Sequence, residues 1–242
     1  MNTNKLNVLF STAFLVGTLA FYSCSDAPNS HEAEVKNDVE SVQQAPATAK
    51  EVAIDVTTSE ITWIGTKITD KHNGTFKVKA GMFKVDANSV VGGSFDIDIT
   101  SLKVSDIKNA KENEQLVMHL KSSDFFDAEK NPNAKFEITK IDPYQASADS
   151  SVKENSLRIP DPSHLVTGNL TLKGVTKTII IPAKIVIETR SEGLFVTAKS
   201  NFNIDRTKWG MSYKSEGSVP DKFIHNKVNI GIDVKSVVSP SN

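Results

Sequence analysis

The stretch SFDIDITSL, residues 94–102, sets Phe95, Ile97 and Ile99 on one face of an extended chain and Asp96, Asp98 and Thr100 on the other. Successive side chains of a β-strand point to opposite faces, so this run reads as a strand with one face on a core and one in water. The same period of two returns at residues 60–68, 75–85, 134–141, 165–174, 177–189, 194–204 and 227–237, which makes eight strands. Between them stand His72-Asn73-Gly74, Asn88 with Gly92-Gly93, Lys173-Gly174 and Ser191-Glu192-Gly193. Gly and Asn accept positive φ, so several of these connections read as hairpins. Eight strands joined in this way leave two raw edges unless the sheet closes, and closure favours a barrel over a sandwich.

One segment departs from the meander. Between Ala110 and Lys121 the apolar residues Leu116, Val117 and Leu120 recur at helical intervals, with Glu112 and Glu114 near the start and Lys121 at the end. The sequence thus predicts an all-β fold, an eight-stranded antiparallel barrel with a short helical insertion. Packed over one mouth, that helix would act as a lid or plug. Its exit, HLKSSDFFDAEKNPNAKF at 119–136, carries the adjacent Phe125 and Phe126. Neighbouring side chains diverge, so one ring is expected beneath the lid and the other on the wall. A second insertion, 142–162, is rich in Ser and Asp and reads as a surface loop or an irregular hairpin.

The N-terminus is a separate matter. Lys5 precedes an apolar run over residues 6–22, which reads as an export signal. Cys24, the chain's single cysteine, follows directly behind Ser23. This arrangement resembles the lipobox of bacterial lipoproteins, whose thiol is lipidated. Residues 1–23 are therefore expected to be a lipoprotein signal peptide and Cys24 a membrane anchor. Residues 24–51, rich in Ala, Ser, Pro, Glu and Gln, bury too little to offset ordering entropy and read as a flexible tether. The barrel domain is assigned to 52–240.

Composition narrows the function. The net charge is −1, and no stretch concentrates Lys and Arg without intervening acids, which argues against nucleic acid as a partner. His72 and His119 lack the spacing that gives metal ligands a shared face, so neither metal nor cofactor is expected. No GxSxG elbow occurs and no thiol exists besides Cys24, so the chain reads as a non-enzyme. Trp63, Phe76, Phe125 and Phe126 either fill the core or line a lumen. His72 and His119 are candidates for hydrogen bonds to a ligand's polar head; Lys67, Lys173 and Arg206 are candidates for pairing with a phosphate or carboxylate.

Four motifs stand in order along the domain: WIGTK with HNGTF at 63–76, HLKSSDFFDAEKNPNAKF at 119–136, GNLTLKGVTKTI at 168–179 and DRTKWGMSY at 205–213. In these the chain resembles the YceI family of bacterial periplasmic proteins. The resemblance implies a lipocalin-like barrel that holds a polyisoprenoid or fatty-acid-like chain, located in the cell envelope facing the periplasm. It also allows a homodimer. Lys173 stands where many members carry a histidine, which would alter the head group or its pH dependence. Two other readings stay open: a structural or stress-related envelope protein whose barrel is filled, and an enzyme acting on an isoprenoid or acyl substrate.

Overall fold

The structure, a computed structural model, describes residues 27–145, 156–218 and 223–238. The expected signal peptide and Cys24 lie outside the described residues, as does part of the 142–162 insertion. In chain order the elements are β1 (His31–Glu32), β2 (Glu34–Lys36), β3 (Lys50–Ala53), β4 (Glu60–Lys67), β5 (Asp70–Asp86), β6 (Ser89–Val104), α1 (Ala110–Lys121), β7 (Asn133–Pro143), β8 (His164–Leu172), β9 (Val175–Arg190), β10 (Gly193–Asp205) and β11 (Ile224–Lys235), with a 3₁₀ turn at Arg206–Trp209.

Strands β4 to β11 pair antiparallel with their sequence neighbours, and β11 returns to β4, with Ile230 opposite Trp63. This closed eight-stranded antiparallel barrel is the fold the alternating pattern predicts. Inward positions carry the large apolar groups: Phe95, Ile97 and Ile99 are buried in the core. Tight turns at Ala87-Asn88 and Lys173-Gly174 place both residues at positive φ, the backbone that two-residue hairpins require. The expected turn at His72-Asn73-Gly74 is instead the interior of β5, whose hairpin to β4 lies at residues 68–69. Gly74 serves close approach: a Cβ there would stand 1.8 Å from the Lys103 carbonyl oxygen and 2.9 Å from Cζ2 of Trp63.

The segment expected to be a flexible tether is laid along the barrel wall. Strands β9 and β10 pair only over Lys184–Arg190 and Gly193–Lys199, then diverge. The wedge between them is filled by the N-terminal segment. His31 and Glu32 pair parallel with Phe202 and Asn203, while Glu34, Val35 and Lys36 pair antiparallel with Ile180, Ile179 and Thr178. Farther on, the backbone N–H of Glu40 donates to Asn169 Oδ1 (3.2 Å) and Thr178 Oγ1 (3.0 Å), and β3 then joins the flank of β5. This segment is ordered despite its composition because two unsatisfied strand edges supply partners that a free chain lacks.

Candidate functional site

The barrel encloses a cavity of about 190 Å³, lined by Ile61, Ile97, Phe136, Phe202, Ile230 and further carbon-rich side chains. Phe136 lies against the wall because position 168 is glycine; a Cβ there would sit 2.5 Å from the ring's Cζ. Polar side chains reach the cavity from Thr66 and Lys67 of β4, His72 of β5, His119 of α1 and Arg206 after β10. Apart from the indole of Trp63, the polar part of the wall thus gathers where β4 turns into β5, where β10 ends and where the helix exits.

That end is covered by α1. Asn109 caps the helix, its side-chain oxygen accepting from the backbone N–H of Lys111 (3.0 Å) and Glu112 (3.2 Å). Asn113 donates to the carbonyls of Val104 (2.9 Å) and Ile107 (3.0 Å), and Lys121 to the carbonyl of Thr100 (2.6 Å). No residue of the helix is buried, although Leu116 and Leu120 line the cavity. The helix is therefore a lid held by these polar pins and by Leu116, Val117 and Leu120, which pack half-buried against the core. Both phenylalanines at its exit reach the lumen. Phe126 meets Phe76 edge-on at 5.3 Å, whereas Phe125 packs edge-on to the His119 ring at 5.1 Å and beside Tyr213 at 5.6 Å.

Both histidines are oriented by carboxylates. His72 Nδ1 lies 2.8 Å from Asp106 Oδ2, and Asp106 Oδ1 accepts from the Asn73 N–H at 2.9 Å. Burial works to raise the pKa of Asp106, but these donors outweigh it and hold the carboxyl below its ordinary value. An ionised carboxylate only accepts, so Nδ1 carries the proton, while Nε2 stands 3.9 Å from Asp70 Oδ2. His119 Nε2 is bound to Asp124 at 3.0 Å. Lys67 Nζ stands 3.6 Å from Asp70 and is half exposed.

Eight of the nine candidate ligand residues line the cavity: Trp63, Lys67, His72, Phe76, His119, Phe125, Phe126 and Arg206. Lys173 does not. Its left-handed hairpin position directs the ammonium to the carbonyls of Ser123 (2.7 Å) and Gly210 (3.2 Å), where it ties the helix exit to the 3₁₀ turn. Arg206 also needs correction as a head-group partner. It is buried, and its N–H groups donate to the carbonyls of His225 (3.1 Å), Ile224 (3.0 Å), Tyr213 (3.0 Å) and Met211. Desolvation pulls its pKa below the usual arginine value. The neighbouring Asp205 caps the 3₁₀ turn, accepting from the Thr207 N–H (2.9 Å) and hydroxyl (2.6 Å). Thr66 and Tyr213 were not among the candidates. The alternating pattern turns Thr66 to the face of β4 opposite Trp63, and Tyr213 follows a turn with no periodic signal.

Among the described residues no three His, Cys, Asp or Glu side chains gather as metal ligands. No hydroxyl is hydrogen-bonded to the ring of His72 or His119 among these residues, so neither His–Asp pair has a nucleophile in hand.

Fold and site together define a lidded β-barrel with an apolar lumen. Residues 52–236 match the YceI-like domain, and the chain belongs to that family. A UPF0312 protein of Serratia proteamaculans is 34% identical over 113 residues, covering 47% of this chain and 48% of that one. A UPF0312 protein of Pseudomonas aeruginosa is 33% identical over the same length. The match therefore spans about half the length of these relatives. Among solved structures, Burkholderia cenocepacia BcnA superposes with a TM-score of 0.53 at 20% identity, covering 76% of this chain and 99% of its own. A polyisoprenoid binding domain from Saccharophagus degradans, implicated in plant cell wall breakdown, gives 0.50 at 12% identity, covering 77% of this chain and 98% of its own. Both share the fold.

Proposed function

We propose that this protein is an envelope lipid-binding protein that holds a polyisoprenoid or another long-chain amphiphile in its barrel. In this reading residues 1–23 are removed and a lipidated Cys24 fixes the protein to a membrane, with the barrel facing the periplasm. The observation that carries the proposal is the cavity, apolar along its length with ionisable groups confined to the lidded end. Membership of the YceI-like family and the shared fold with a polyisoprenoid binding domain support it. Each buried methylene contributes about 0.8 kcal/mol, so eight supply roughly 6 kcal/mol without any polar contact. The cavity, at about 190 Å³, is smaller than the ~300–1,000 Å³ of common ligand pockets. A long guest therefore seats one end of its chain inside and passes the rest beneath α1, whose contact with the barrel is made by the half-buried Leu116, Val117 and Leu120.

The same small volume favours, as the second reading, a structural barrel that carries no guest. Organic extraction of natively purified full-length protein, followed by mass spectrometry, decides between them. A long-chain lipid at near-equimolar yield is expected; its repeated absence overturns the carrier assignment. A binding protein also predicts no turnover of acyl or isoprenyl substrates, and product formation would restore the enzyme reading.

A further inference from the structure

The described N-terminal segment meets the barrel at once. Ala27, three positions after Cys24, is buried at 8% exposure. The Pro28 carbonyl accepts from Asn203 Nδ2 (3.0 Å), and Ser30 Oγ donates to Asn201 Oδ1 (2.5 Å). Both asparagines belong to β10, so the chain arrives on the β10 flank of the barrel. Three residues span no more than about 11 Å at full extension. A free tether over residues 24–51 would instead allow a typical excursion of roughly 30 Å. With a lipid on Cys24, this flank is therefore held next to the bilayer surface.

A second observation falls on the same flank. The backbone N–H of Leu157 donates to the Asn29 carbonyl (2.8 Å), and Ser156 Oγ donates to the same oxygen (3.2 Å). The sequence Leu-Arg-Ile-Pro at 157–160 is thereby clamped beside the point where the chain arrives. Leu157 is 39% exposed. A single exposed leucine is ordinary on a protein surface; what sets this one apart is its place next to the anchored end. It borders an outer groove whose charges are mixed, Arg158 and Lys199 against Glu60 and Asp233. Lys199 Nζ lies 2.9 Å from Asp233 Oδ2, so no field of one sign stands between this flank and a headgroup layer.

We propose that residues 157–160 and the adjoining face of β10 and β11 form a membrane-docking surface. The barrel lies on the bilayer that carries its own anchor, with Leu157 seated in the lipid interface. The inference rests on the anchored reading above and gives that anchor a geometry.

The test is spin labelling of the full chain, purified from membranes and reconstituted into vesicles of phosphatidylethanolamine and phosphatidylglycerol. Cys24 is the single cysteine, and lipidation consumes its thiol, so a label on Leu157→Cys or on Lys135→Cys reports that site alone. Lys135 is the control, exposed on β7 across the barrel from β10 and β11. The label at 157 should gain collisions with oxygen, which concentrates in lipid, and lose those with a water-soluble nickel chelate; the label at 135 should keep the chelate. A spacer of about twenty Gly and Ser residues inserted between Ser25 and Asp26 gives the barrel roughly 25 Å of play and should restore chelate collisions at 157. Equal chelate access at the two sites in the unspaced protein would overturn the docking surface. Exclusion of both oxygen and chelate from 157 would place a second protein copy there and overturn it too. Protection that survives the spacer would overturn the part assigned to the short anchor. Intact-mass measurement on the same sample separates the premises: an unmodified Cys24 removes the anchored reading and this inference with it, whereas equal access in verified lipidated protein removes this inference alone.

Discussion

Asp106 accepts from both the His72 ring and the Asn73 N–H, and these bonds pin the β5 side of the mouth to the chain leading into the lid. Burial opposes the bonds, yet its carboxyl stays below the ordinary pKa. A group whose folded pKa is depressed stabilises the fold above its unfolded value of about 3.9, and that contribution is lost as pH falls through the lower folded value. Asp106→Asn should therefore lower the melting temperature at pH 7, and the gap to wild type should shrink as pH falls below the ordinary carboxylate range of about 4; a gap independent of pH would mean that the charge contributes nothing. Arg206 presents the opposite balance, a buried cation whose listeners are backbone carbonyls of residues 211–225. Arg206→Met strips four carbonyls of their donor at about 1–3 kcal/mol for each one left unsatisfied. Urea denaturation should show a loss above about 3 kcal/mol, with Arg206→Lys recovering only part because an ammonium lacks the planar fork. Unchanged stability with weakened lipid affinity would instead return Arg206 to the head-group role.

At the scale of elements, the lid and the wall should separate in their responses. Phe126 is half-buried and meets Phe76 edge-on. Removing such a pair costs about 0.5–1.5 kcal/mol, so Phe126→Ala should speed release of a bound fluorescent lipid by up to about tenfold with little change in melting temperature. Phe136→Ala, which empties the slot over Gly168, should cost about 3–5 kcal/mol of stability. A melting loss in Phe126→Ala as large as that in Phe136→Ala would make the helix exit a plug and not a lid. The same division explains what the sequence made legible. Half-buried antiparallel strands must alternate, so all eight barrel strands could be read from period alone, and α1 from the spacing of Leu116, Val117 and Leu120 with its terminal charges. Contacts assembled from distant segments leave no such trace. Gly74 reads as a turn glycine, yet it is there for the Trp63 indole and the Lys103 carbonyl; the real β4–β5 turn, at Ile68 and Thr69, has no turn-favouring residue. Lys173 and Arg206 look like ligand cations until the carbonyls around them are known.

At the scale of the molecule, the closed barrel of the family domain leaves a wedge where β9 and β10 part, and the segment before that domain fills it. Ile179 and Phe202 both line the cavity, and both are essentially buried, at 0% and 1% exposure, in the region where β9 and β10 part. Residues 31–36, which precede the domain matched at 52–236, pair with these two strands there. Ala33 and Val35 pack against the core behind them. Side chains of the barrel grip this segment's backbone: Asn203 Nδ2 donates to the Pro28 carbonyl (3.0 Å), Thr178 Oγ1 to that of Asp38 (2.8 Å) and Asn169 Nδ2 to that of Glu40 (2.7 Å). Little of this is visible in a polar, short-stranded sequence, because its order comes from the wedge it enters. Deleting residues 27–40 should uncover parts of Ile179 and Phe202 and orphan the polar groups that hold the strap. At about 1.5–3 kcal/mol for a fully exposed large apolar side chain, partial exposure of two predicts a loss of roughly 2–4 kcal/mol. Because the uncovered wall is also the lumen wall, the same deletion should raise anilinonaphthalene fluorescence and accelerate lipid release through the side of the barrel. Asn169→Ala with Thr178→Val, which removes two grips and leaves the strand pairing, should produce a smaller change in the same direction. If the deletion leaves melting, dye binding and release at wild-type values, the segment hangs free in solution as its composition implies, and the lidded end is the single way into the lumen.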